Sequence, residues 1–129
     1  MFSQDSNQNN FIFSITGIVI HGKGRGRTVG MPTANLSAEV PQIDEGVYAS
    51  SIFIENEKFL GVTNIGHRPT VDEEKTIETH ILDFDRDIYG KTVTVNLIKF
   101  LRGIKKFNSL DEVKKQVQND IEKCREIVK

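Results

Sequence analysis

The 129-residue chain predicts a mainly β fold, an antiparallel sandwich or closed barrel, with one amphipathic helix at its C-terminal end. Three features carry this expectation. From Phe11 to Phe100 the apolar residues fall in short runs rich in Ile, Val, Phe and Thr, bounded by Gly, Pro, Asn and Asp, as strands between turns do. The runs have no helical segment between them and several connections are short, which implies antiparallel pairing; closure of such a sheet removes its exposed edges. Beyond Asn108 the apolar period lengthens to three and four.

The strand candidates are Phe11–Ile20, Val47–Ile54, Phe59–Ile65, Thr76–Leu82 and Thr92–Phe100. Glu55-Asn56-Glu57 suits a hairpin turn between the second and third, and Asp83 to Gly90 a longer connection between the last two. Ser109 followed by Glu112 is a capping box, and Leu110, Val113, Val117, Ile121, Cys124 and Val128 then lie along one helix face. Cys124 sits on that apolar stripe and reads as a buried, inert thiol. Residues 1–10 are a polar run that cannot offset its ordering entropy by burial, so a disordered lead-in is expected there, with a single domain over 11–129.

Bulk composition narrows the function classes. With 17 basic against 18 acidic residues and a net charge of −1, the chain lacks the cation excess that nucleic-acid binding draws on. Its one cysteine cannot form an internal disulfide, and no leader or long apolar run marks secretion or membrane spanning. A cytoplasmic monomer with no nucleic-acid or membrane partner is expected.

The densest chemical signal is GKGRGRTVGMPTANL, from Gly22 to Leu36. It crowds four glycines (Gly22, Gly24, Gly26, Gly30) and three cations (Lys23, Arg25, Arg27) ahead of a Pro-Thr-Ala-Asn turn. Glycines let successive backbone N–H groups form an anion-binding concavity, and the cations add charge, so the loop suits the phosphates of a nucleotide. Pro32 sets the backbone so that the Thr33 hydroxyl and the Asn35 amide oxygen converge on one small hard cation such as magnesium. A solvated turn is the competing reading, with Asn35 a turn-former and Thr33 bonded to its own backbone. Walker and dinucleotide templates do not fit: Arg27-Thr28 stands where Lys-Ser/Thr is needed, and Pro32 interrupts a following helix.

In Thr76–Leu82, strand alternation places Thr76, Glu78, His80 and Leu82 on one face and Ile77, Thr79 and Ile81 on the other. By itself Glu78 reads as a solvated strand residue, with a catalytic role as the alternative. His80 reads more readily as a structural neighbour. His21 and His67 show no metal spacing, and Asp85 and Asp87 read as turn residues rather than metal ligands.

GIVIHGKGRGRTVGMPTANL, EGVYAS, TNIGHRPT, IETHILDF, DIYGK and LRGIKKFNSLDEV, in this order and spacing from about Phe13 to about Ile121, closely resemble the riboflavin kinase family. The resemblance implies a closed Greek-key barrel of about six strands. It also implies transfer of the γ-phosphoryl of MgATP to the 5′-hydroxyl of riboflavin, giving FMN and ADP. On this basis Glu78 matches the family's general base, and Thr33 and Asn35 its magnesium ligands. The loop from Gly22 to Gly30, with Tyr89, matches the nucleotide site, while Met31, Arg102, Ile104 and Phe107 fall in the flavin site. Two positions depart from the family pattern: glutamate is common where Ile104 stands, and an aromatic residue where Met31 stands. A non-catalytic flavin- or nucleotide-binding module on the same barrel is the alternative. An RNA-binding barrel is disfavoured, because base-stacking aromatics do not cluster around the basic loop. The chain has no room for the nucleotidyltransferase module that makes FAD, so FMN alone is the expected product.

Overall fold

The computed structural model describes residues 12–20, 33–67 and 75–128. Six strands run β1 (Phe13–Ile20), β2 (Thr33–Ser37), β3 (Gly46–Ile54), β4 (Glu57–His67), β5 (Lys75–Ile81) and β6 (Thr92–Arg102), followed by helix α1 (Leu110–Ile127). They close into an antiparallel barrel in the order β1-β2-β5-β4-β3-β6, so that every strand has a neighbour on each side. The lead-in expected over 1–10, the loop from His21 to Pro32 and residues 68–74 lie outside the described residues.

The strand signals in the sequence correspond to β1, β3, β4, β5 and β6, with ends shifted by a few residues. One element differs. Thr33, Ala34 and Asn35 of the segment read as a turn belong to strand β2, paired with β1 on one side and β5 on the other. Its apolar residues explain this. Ala34 and Leu36, buried at 0% and 6% exposure, point into the barrel, and period two then sends Thr33 and Asn35 outward together. The β3–β4 connection is a two-residue turn in which Glu55 and Asn56 both take positive φ (50° and 70°), the backbone twist that matches a tight hairpin.

The barrel interior is packed by Ile15, Val19, Ala34, Leu36, Tyr48, Ile52, Ile65, Ile77, Ile81, Val93, Val95 and Leu97. Its inward hydroxyls are satisfied among themselves. Ser50 Oγ lies 2.7 Å from Thr63 Oγ1, which lies 2.8 Å from Thr79 Oγ1, and Ser50 Oγ also donates to the Gly61 carbonyl.

Strand β3 is buried on both faces because α1 covers its outer side. Val47, Ala49, Val62 and Leu82 form a second core with Cys124 and Val128 of the helix end, flanked by Ile98, Leu101 and Ile121. The N-cap forms as the spacing predicts, Ser109 Oγ accepting the Glu112 N–H at 3.2 Å, while Glu112 Oε1 accepts the N–H of Asn108, one residue before the cap, at 3.0 Å. Cys124 is fully buried, and burial pushes its thiol pKa up. Helix α1 thus lies on the outside of β3, β4 and β6 and forms one wall of a cleft whose floor is barrel surface.

Candidate active site

The outward residues of β2 and β5 meet by strand register. Asn35 is the direct cross-strand partner of Glu78, and Thr33 of His80, so each pair has Cβ atoms only about 5 Å apart. On the far side of β5, Asn64 of β4 pairs with Glu78, and Val62 with His80. A single rung across the outer surface therefore reads Ile20, Asn35, Glu78, Asn64, Val47 and Arg102, one residue from each strand. Glu78, Thr33 and Asn35 are half-buried. A carboxylate, a hydroxyl and two amides thus share one patch of barrel wall.

His80 lies deeper, at 8% exposure. Its Nδ1 stands 3.4 Å from Thr33 Oγ1. Burial lowers its pKa, against the opposing pull of the Glu78 and Asp120 carboxylates, so the ring is neutral. His80, for which a structural role was expected, shares the outward face of β5 with Glu78, stands within reach of the Thr33 hydroxyl and lines the cavity next to the patch.

Beside this patch, between the barrel and α1, is a cavity of about 140 Å3 lined by Val62, Asn64, His80, Arg102, Phe107, Val113, Val117 and Asp120. Arg102, at the end of β6, crosses to the helix. Its Nη2 lies 2.8 Å from Asp120 Oδ2 and its Nε 3.1 Å from Asp120 Oδ1. Gln116 Nε2 donates to the same Oδ1 at 3.1 Å. The cavity combines one apolar wall with a fixed guanidinium.

The structure brings together Thr33, Asn35 and Glu78, and places Arg102 and Phe107 in the adjoining cavity. Ile104 stands apart from the cavity lining, 57% exposed, with its Cδ1 3.8 Å from where a Cβ on Gly66 would stand. Tyr89 is also outside the cavity. It precedes Gly90, whose N–H donates to the Val19 carbonyl, so it lies near the end of β1 where the basic loop departs. Gly22, Lys23, Gly24, Arg25, Gly26, Arg27, Gly30 and Met31 lie outside the described residues. Asp87 Oδ1 accepts the Tyr89 N–H at 3.0 Å, an Asx turn that matches the turn reading of that loop.

Among the described residues no group of three or more His, Cys, Asp or Glu side chains is placed to hold a metal. Neutral oxygens beside the Glu78 carboxylate can contribute to holding a cation at this patch. Strand β2 supplies two of them, Thr33 and Asn35, side by side on the face that carries Glu78. The donors fit a hard ion that keeps most of its other ligands as water or phosphate.

Two residues escaped the sequence reading. Asn64 carries no motif and joins the patch only through β4–β5 register. Asp120, 2% exposed, was visible as an anomaly: it falls seven residues after Val113 and four before Cys124, an acid on the apolar stripe.

The family model described as riboflavin kinase matches residues 9–128. The chain belongs to the riboflavin kinase family. It is 45% identical over 118 residues to the bifunctional riboflavin kinase/FMN adenylyltransferase of Escherichia coli, a match covering 88% of this chain and 37% of that protein. It is 40% identical over 109 residues to the RNA-binding riboflavin kinase RibR of Bacillus subtilis, covering 83% of this chain and 47% of that one. This chain therefore spans less than half the length of either relative. A solved Streptococcus pneumoniae chain described as a macrolide-efflux protein shares the fold with a TM-score of 0.80 and 37% identity, over 87% of this chain and 38% of that one. Among the described residues no helix is long and apolar enough to cross a membrane.

Proposed function

We propose that the chain is an ATP:riboflavin 5′-phosphotransferase, converting riboflavin and MgATP to FMN and ADP. One observation carries this reading beyond family membership. The carboxylate a phosphoryl acceptor needs (Glu78) is the register partner of Asn35, and Thr33, the second neutral oxygen a magnesium ion needs, lies two residues along β2 on the same barrel face, beside a cavity with an apolar wall.

Glu78 accepts the proton of the riboflavin 5′-hydroxyl as that oxygen bonds to the γ-phosphorus, and the bond from phosphorus to the β,γ-bridging oxygen breaks, its electron pair leaving with ADP. Thr33 and Asn35 would hold a magnesium ion, which would supply neutralisation of phosphate charge. The His80 ring stands beside Thr33, its Nδ1 3.4 Å from the hydroxyl oxygen. Arg102 and Phe107 receive the flavin ring in the cavity, away from the reacting oxygen. The glycine-rich loop with Lys23, Arg25 and Arg27, together with Tyr89, takes the nucleotide.

Incubating the purified chain with riboflavin and MgATP, followed by chromatographic separation of flavins, tests this reading. FMN without FAD is the expected product, dependent on divalent metal. Binding of flavin without turnover would instead support the non-catalytic module.

A further inference from the structure

Asp120 is an energetic oddity. It is a carboxylate at 2% exposure on the apolar face of α1, where its neighbours along the stripe are Val113, Val117 and Cys124. A buried ion pair gives little net stability over well-packed apolar residues, because both charges lose their hydration. Its geometry is nevertheless well satisfied. Asp120 Oδ1 accepts from Arg102 Nε and Gln116 Nε2, and Oδ2 accepts from Arg102 Nη2. Arg102 Nη1 donates to the Gly103 carbonyl at 3.1 Å, which ties the guanidinium to the start of the segment bearing Phe107.

The guanidinium is thus held at three of its nitrogens. It has five N–H donors, and the bonds among the described residues engage one on each nitrogen, leaving a second N–H on Nη1 and on Nη2. Arg102 and Asp120 both line the cavity. A fixed fork with spare donors suits an uncharged planar ligand bearing ring carbonyls, and the paired carboxylate cancels the charge that would otherwise favour an anion.

We propose that Asp120, steadied by Gln116, is a positioning residue for riboflavin: it holds Arg102 in the orientation that binds the flavin ring and keeps the cavity electrically neutral. This rests on the reading of the cavity as the flavin site. Asp120 touches no reacting atom. It acts through Arg102, on flavin affinity rather than on chemistry.

The test is a double-mutant cycle on riboflavin affinity, read by quenching of flavin fluorescence, with steady-state kinetics alongside. Asp120→Asn retains shape but removes the charge and leaves the guanidinium uncompensated. The riboflavin Kd and KM should rise about tenfold or more, with kcat and the KM for MgATP within about twofold, as expected where binding shared by ground and transition states is lost. In an Arg102→Met background the same substitution should change the riboflavin Kd by less than about twofold, because there is no guanidinium left to position. Because breaking a buried pair can unfold a domain, Gln116→Met supplies a milder perturbation that leaves the pair in place. It should raise the riboflavin Kd measurably without altering kcat. The proposal is overturned if Asp120→Asn lowers the melting temperature while leaving the riboflavin Kd unchanged, or if it acts equally in both backgrounds. If Asp120→Asn does not fold, an unchanged riboflavin Kd in Gln116→Met overturns it. Wild-type protein that fails to make FMN at all would instead refute the functional reading beneath it.

Discussion

Replacing Glu78 by Gln tests the chemistry most directly. The side chain is half-buried on β5, flanked in register by Asn35 and Asn64, and among the described residues it forms no salt bridge. Glutamine therefore breaks no ion pair and keeps the size and an amide oxygen that the neutral neighbours tolerate. Stability should change by no more than about 0.5 kcal/mol, the range for a substitution that touches no buried network. The loss falls on proton transfer. A positioned general base contributes roughly 10²–10⁴ in rate, and the single-turnover rate at saturating riboflavin and MgATP should fall by that factor. In free energy this is about 2.7–5.5 kcal/mol of transition-state stabilisation. Substrate affinities should stay within a few-fold, since the group acts as the attacking oxygen loses its proton. Rapid-quench measurement of FMN from a single turnover avoids masking by slow product release. A Glu78→Gln protein that keeps more than about a tenth of the wild-type rate would show that the proton leaves by another route.

Thr33→Ala and Asn35→Ala should each raise the magnesium concentration needed for half-maximal rate by about 10- to 100-fold or more, the loss typical even of outer-shell partners, with riboflavin binding little changed; titrating metal against rate at fixed ATP checks this. Gly46→Ala should destabilise the barrel by about 1–3 kcal/mol as an overpacking substitution. The added Cβ would stand 2.5 Å from Phe100 Cε1 and 2.6 Å from the Arg102 carbonyl, and denaturant unfolding measures the loss. Cys124 should resist alkylation in the native protein and react on unfolding, because it is buried and its thiol pKa is raised by that burial. The same shift has a definite sign in stability. The folded pKa lies above the unfolded one, so the contribution is whole below the unfolded value and fades as pH rises through the folded value. The stability gap between wild type and Cys124→Ala should accordingly narrow on raising pH through the alkaline range, which urea unfolding at a series of pH values would register.

Much of this protein was legible in the order of its residues, because the signals involved are local. Period-two runs of β-branched residues marked five of the six strands, and Ser109 with Glu112 marked the helix start to the residue. The family's motif blocks pointed to Glu78, Thr33 and Asn35. Strand β2 was hidden because five residues with a proline before them and a turn-forming asparagine, Asn35, among them look like a turn until β1 and β5 supply partners on both sides. Pairing also decided the site. That Asn35 stands opposite Glu78, and Glu78 opposite Asn64, follows from barrel closure in the order β2-β5-β4, which no local pattern encodes. Asp120 makes the same point from the helix. Its place on the apolar stripe was readable, but only the docking of α1 over β6 brings Arg102 to within 2.8 Å and makes the buried charge tolerable. Propensity and period act over a few neighbouring residues, whereas register and the pairing of buried charges depend on segments that meet only when the barrel closes.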